Sequence, residues 1–362
     1  DSYFHHARAY SSGSGYGVLL INQSSDNLIE NNVFYYLRHS MVIEAGGMGN
    51  VFGYNYSERV FGDKYPDTDW LGGDMITHGA HPSMNLFEGN IAAKISLDNI
   101  WGSSSHNTFF RNHITGESEG ENKEIIYGLV ALNIEENNRY ENIIGNVFGT
   151  ENFSGVFEAI PFTSNSLKVI RKLGFHSPSA TGFPSDSLVS ETLLYAGNYD
   201  YATKSVLWEN LVEQTLPSSL YLESKPAFFG NLNWPAAGPD VMPPVSPIPA
   251  QVRFDSLMNQ GTHIIDIPSD KKGKTGGVSS FRTYPNPFNP TVRIRFNLSA
   301  EGIVEMKIYN SLGQLVKILS NGLRKSGINE VTFDASGFAG GVYFCRIEFS
   351  GHIYTQRMLL IK

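Results

Sequence analysis

The chain has 362 residues, of which 17% are charged and 12% aromatic, with a formal net charge of −8 and one cysteine, Cys345. That length permits a large core and more than one domain. The acidic balance argues against a general nucleic-acid surface, and a single cysteine excludes an internal disulfide. No run approaches 18 uninterrupted apolar residues, so no membrane span is expected.

The opening residues, DSYFHHARAY, read as the interior of a coil, so further coils are expected ahead of them. A recurring frame follows: NLIENN (27–32), NVFGYN (50–55), NLFEGN (85–90), NTFFRN (107–112) and the weaker ENIIGN (141–146). The copies start 23, 35, 22 and 34 residues apart. A period of twenty-odd residues with loops inserted in some turns signals a solenoid. Before each frame stands a short run rich in β-branched residues: GVLLIN, SMVIEA, DMITHG, LDNIWG and LVALNI. None is long enough for an amphipathic helix, so each period reads as one coil of two or three strands. The fold class this predicts is all-β, a right-handed parallel β-helix over residues 1–250. The asparagines then have a structural job: Asn tolerates the left-handed region at turns and can stack into amide ladders from coil to coil.

Two insertions, FGDKYPDTDWLGGD (61–74) and GESEGENKEIIYG (116–128), leave the same side of the repeat, where solenoids often build a binding face. SLKVIRKLGF (166–175) is read as a short helix or a decorated coil, and the Pro- and aromatic-rich stretch to residue 250 as a cap on the stack. Residues 251–280 read as a linker, Gly/Ser-rich towards their end. Residues 281–362 form a separate module of alternating strands divided by turn signals, a small immunoglobulin-like β-sandwich. Cys345 within it reads as a buried apolar residue.

This module resembles the C-terminal sorting domain of the type IX secretion system. The resemblance rests on YPNPFNP (284–290), IYNSLGQLV (308–316), GGVYFCRI (340–347) and RMLLIK (357–362). It implies the type IX secretion machinery as a partner and a location outside the cell or on the outer cell surface. The coil pattern of residues 1–250 is similar to that of pectate-lyase-like β-helix proteins. That class holds polysaccharide lyases, glycoside hydrolases and esterases, and also non-catalytic adhesins and tailspikes. For enzymes of this kind the resemblance implies charged side chains stacked over successive coils, with calcium as a possible cofactor of a lyase.

Strand residues two apart share a face. Aligned by their frames, the runs place Ile21, Glu44, His78 and Trp101 in one outward column and Leu19, Val42, Ile76 and Asn99 in the next. The spacing leaves two alternatives for His78. Seven residues separate it from Asn85, where six separate Glu44 from Asn50, so either that turn has an extra residue or His78 points inward. The candidate catalytic residues are Glu44, His78, His81, Asp98 and Arg111. Trp70, Trp101 and His106 are candidates for holding sugar. Arg111 reads as a lyase base, a clamp on a substrate carboxylate, or the partner of Glu88. In the first insertion Asp67, Asp69 and Asp74, together with Asp63, could hold calcium, although the EF-hand spacing is missing. His78, His81 and His106 offer an incomplete zinc set. Phosphate loops, nucleophile elbows and CxxC pairs are absent. Two functions follow: a carbohydrate-active lyase or hydrolase on a polysaccharide, or a non-catalytic adhesin or structural β-helix. The enzyme reading requires Glu44, His78 and Asp98 to share one face within about 10 Å.

Overall fold

The computed structural model describes residues 1–7, 13–62, 67–209, 214–259, 278–310, 314–350 and 352–361, which fall into two compact units, Asp1–Thr262 and His263–Lys362. In the first unit, short strands stack in parallel on three faces. One face runs through Tyr16–Leu20, His39–Glu44, Met75–His78, Ile95–Leu97, Val130–Glu135, Val169–Phe175 and Val156–Glu158. The second runs through Leu28–Glu30, Val51–Gly53, Leu86–Glu88, Thr108–Phe110 and Asn142–Ile144, the strands inside the Asn frames. The third begins with Tyr3–His5 and Val33–Leu37 and ends at Val147–Phe148. Leu194–Asp200 pairs with strands of both the second and third faces, and Ser205–Trp208 folds back on it antiparallel. The unit is a parallel β-helix.

Alternation within each strand fills the interior. Met41, Ile43, Met75, Ile95, Leu97, Leu132 and Ile134 point into one continuous core. On the second face Phe52, Phe87 and Phe109 occupy the same position in successive coils, and their rings stack with centroids 5.1 and 4.8 Å apart. Identical residues in register turn the repeat into a column of aromatic contacts, each adding to the burial of its ring.

The asparagines form two ladders. Asn32, Asn55, Asn90, Asn112, Asn146 and Asn198 pass Nδ2–H to the next Oδ1 at 2.9–3.0 Å. Each Oδ1 also accepts the backbone N–H of the preceding rung, so buried donors and acceptors are matched. The second ladder is Asn27, Asn50, Asn85 and Asn107, at 2.8–2.9 Å. It continues onto Glu141, whose carboxylate takes the Asn107 N–H, the Asn107 amide and the Ser104 hydroxyl. Burial pushes the Glu141 carboxyl up to about 8. The folded state therefore holds a proton that the unfolded chain has released at neutral pH. Stability from this site is complete below the ordinary carboxylate range and is lost as pH rises from there through about 8. Glu141→Asn restores the amide rung. It is expected to flatten this decline in urea melts across about pH 5–9 and to gain roughly 1–3 kcal/mol at the alkaline end.

Of the two readings of residues 166–175, the coil holds: Val169–Phe175 is a strand of the stack, with Ile170 and Leu173 reaching the core while Lys172 faces outward. Two sequence expectations are corrected. Residues 214–248 do not cap the stack. They run back along its side, over the outer surface of the second face. There Tyr221 donates to Glu30, Ser219 and Leu220 N–H donate to Glu88, and Trp234 Nε1–H donates to the Tyr54 hydroxyl. Second, the first part of the expected linker is ordered. Pro249–Asn259 is a helix whose Phe254 ring packs against Tyr35 and Tyr56 and whose Arg253 donates to Asn31. Polar composition hid it, because one aromatic anchor is enough to dock a short helix. Residues 260–277 of the linker lie outside the described residues.

Among its described residues the second unit has seven strands in a three-stranded and a four-stranded antiparallel sheet, from Val278–Tyr284 to His352–Leu360. Every second residue of Thr291–Leu298 is buried, as are Val304, Met306 and Ile308, which gives a sandwich core. Cys345 lies in that core, and burial pushes its thiol up to about 12, so it is held as a small apolar residue.

Candidate functional site

The register of the first face settles which side chains share a column. Glu44 pairs with His78, and Leu97 pairs with Thr77 on one side and Ile134 on the other. The residues after Thr77, Leu97 and Ile134 are therefore neighbours: His78, Asp98 and Glu135. The outward column reads Glu44, His78, Asp98, Glu135, with about 4.8 Å between coils and about 10 Å from the Glu44 to the Asp98 backbone. His78 points outward, because Met75 is in the core and Thr77 meets the buried Ser104 hydroxyl. The turn after it carries the extra residue.

Trp101 is not the next member of this column. The strand in its coil is Ile95–Leu97, three residues earlier than the frame count implies, because the following turn is longer. Asn99 likewise leaves the neighbouring column, which holds Val42, Ile76, Ser96 and Asn133. Asn99 instead caps the acidic end: its N–H donates to Glu135 and its amide to Glu136. Trp101 still borders the site. A Cβ on Gly79, whose φ is +74°, would lie 3.5 Å from Glu44 Cγ and 3.8 Å from Trp101 Cβ. The Trp101 side chain is 73% exposed, and its indole is open at the rim.

His78 Nδ1 is 2.7 and 2.9 Å from the two Asp98 oxygens. This bond, more than the nearby Glu44 charge, holds the imidazole above the ordinary histidine range against the effect of its partial burial. With Nδ1 engaged, Nε2 is the nitrogen left for other chemistry. Glu135 is buried, which pushes its carboxyl up to about 7. Glu136 beside it accepts from Asn99, His176 and Ser185. Lys94 and Lys172 lie on the same face, and burial lowers both to about 8. Burial outweighs the attraction of Glu135 for each.

Other expected site residues are placed elsewhere. His81 Nε2 and His106 Nδ1 meet at the Ser105 hydroxyl, 3.0 and 2.9 Å away, in a smaller cluster on the turns, with His106 stacked on Tyr140. Trp70 packs on Tyr127 where the two insertions join; Asp69 C=O accepts the Ile126 and Tyr127 N–H groups. Asp67 accepts from Asn122, and Asp69 lies 3.9 Å from Lys123. Asp74 is separate from them. It is fully buried at a coil corner, accepts from Ser57 and from the Ala93 and Lys94 N–H groups, and is raised to about 6 by burial. The expected calcium set is therefore not assembled, and Asp63 lies outside the described residues. Among the described residues no group of three or more His, Cys, Asp or Glu side chains is arranged to hold a metal ion.

Arg111 is not an exposed base, and its hydrogen bonds go elsewhere than Glu88, on which it acts only through its charge. It is 2% exposed and makes a two-pronged bond to Asp240 at 2.6 and 2.7 Å, with further donation to the Pro217, Leu216 and Ala237 carbonyls. It pins residues 214–248 to the stack. Asp240→Ala leaves a buried guanidinium with carbonyls alone. It is expected to cost about 3 kcal/mol or more, read as a lowered urea midpoint, and to expose residues 214–248 to protease.

Glu135, Glu136, Asn133 and Lys94 were absent from the sequence candidates. Extending the LVALNI run by one residue, in register with Asp98, would have found Glu135.

No described helix is long and apolar enough to cross a membrane. No curated protein matches the chain. Residues 282–362, less than a quarter of the chain, match the family described as Secretion system C-terminal sorting domain. Strand order, buried core and family match agree for that module, and the β-helix ahead of it is accordingly cargo: this is a secreted or cell-surface protein in which a parallel β-helix is followed by a type IX secretion sorting domain.

Proposed function

We propose that the β-helix processes a polysaccharide outside the cell, as a lyase or a glycoside hydrolase, at the Glu44–His78–Asp98 column. The observation that carries this reading is the His78–Asp98 pair at 2.7 Å with Glu44 on the adjoining coil of the same outward face. Asp98 fixes the ring and leaves Nε2 for proton transfer, and Glu44 supplies a carboxylate of the second kind that acid–base chemistry needs. Trp101 at the rim is suited to stacking on a sugar ring.

A panel of pectate, alginate, glycosaminoglycans, xylans and β-glucans, assayed with and without calcium, tests the proposal. Reducing ends and unsaturated-product absorbance are both recorded. Turnover by the parent protein that is lost in a Glu44→Gln/His78→Ala double variant supports the reading. Turnover retained in that variant moves the site elsewhere. Saturable glycan binding with no turnover favours the adhesin.

A further inference from the structure

Resting on that reading, we infer that the column takes an uncharged glycan and breaks it by hydrolysis, rather than eliminating across a uronate. Elimination requires the sugar carboxylate to be neutralised by a cation at the site. Here Glu44 and Asp98 stand on the open face, with Glu136 beside them and Glu135 buried behind. The two lysines of that face are not free to receive a carboxylate. Lys94 is 3% exposed and donates to Gly128 C=O, and Lys172 is 4% exposed and donates to the Pro178 and Ala180 carbonyls. Among the described residues, Arg38, whose charge also acts on His78, lies over the Tyr16 ring, and the His78 cation is itself bound by Asp98. A polyuronate would therefore meet like charge along the column.

For a neutral glycan the same groups suffice. The protonated His78 gives its Nε2 proton to the glycosidic oxygen as the C–O bond breaks. Water adds to the anomeric carbon and loses a proton to Glu44. The two protons then re-equilibrate through solvent, restoring both groups. Asp98 positions the imidazole and takes no proton.

Related substrates with and without carboxylate charge test this: methyl-esterified against de-esterified homogalacturonan, and xylan against glucuronoxylan. Binding and turnover of the full chain are measured at low and high salt, with a chelator and with added calcium. The expected result is an advantage of about tenfold or more for the uncharged member at low salt, narrowing as salt screens the column. Glu44→Gln should lose turnover yet bind the charged member more tightly, leaving binding of the uncharged member unchanged. Preference for the charged member, with or without calcium, or no preference at all, overturns the inference. Unsaturated products would overturn it while leaving the proposed function standing. Preferential binding of the uncharged member without turnover supports the charge selection but removes the hydrolytic step. No binding to any member overturns the inference, and turnover elsewhere in the wider panel then decides the proposed function separately.

Discussion

His78→Ala is expected to lower polysaccharide turnover by about 10²–10⁴-fold, the usual contribution of one positioned acid or base. The more informative variant is Asp98→Asn. Asp98 holds the His78 imidazole above the ordinary range, so removing its charge lets the pKa fall back. If His78 works in its protonated form, the decline of activity on the alkaline side moves to lower pH in Asp98→Asn, while substrate affinity changes little. A variant that merely loosened the fold would lose activity at every pH and leave the profile where it was. The same pair makes a stability contribution with a definite sign. A histidine raised by its partner stabilises the fold fully below its unfolded pKa, and that contribution is lost as pH rises through the folded one. Thermal melts of the parent and Asp98→Asn proteins should therefore differ most in mild acid and converge as pH rises through the raised His78 value. A gap that widens with pH would show that Nδ1–Asp98 is not the bond that raises His78.

The largest loss of stability is expected from Asn90→Leu, in the middle of the longer ladder. Asn90 Oδ1 accepts from the Asn55 N–H and amide, and its own amide donates to Phe52 C=O and Asn112 Oδ1. Leucine has similar bulk but leaves each of these groups buried without a partner, and each costs about 1–3 kcal/mol. A loss of about 4 kcal/mol or more is expected, read as a fall in the urea midpoint. Leu86→Ala, at the partly exposed neighbouring position of the same frame, should cost much less. Equal losses at the two sites would mean that burial of apolar area, not amide pairing, holds the coils in register.

The neighbouring features of this protein were unequally legible. The Asn frames gave the coil, its period and both ladders, because an amide that must satisfy its neighbour in the next turn has to recur at a fixed place in the sequence. The sorting module was equally plain, since its strands alternate over eight or nine residues and its motifs lie close together in the chain. Glu44, His78 and Asp98 were named from sequence, and they do stand together. Counting from the frames points to Trp101 as their neighbour only if every turn has the same length, and the turn after Asp98 is longer than the one after Glu44. Register is set by strand pairing, and a turn on the outside of a solenoid can lengthen without disturbing the stack.

Arg111 and Asp74 show the other limit. Arg111 reads as a base, a clamp or the partner of Glu88, and Asp74 as a calcium ligand, yet both are buried in other pairings. Arg111 meets Asp240 from far along the chain, and Asp74 meets Ser57 and two backbone N–H groups at a corner. The repeating coil, the amide columns and the export module are legible in the residues alone, because each rests on a pattern of side chains that is local or strictly periodic. Which charges face solvent and which are consumed in holding the molecule together depends on tertiary contacts. Those pairings join residues at unrelated separations along the chain, and local patterns do not record them.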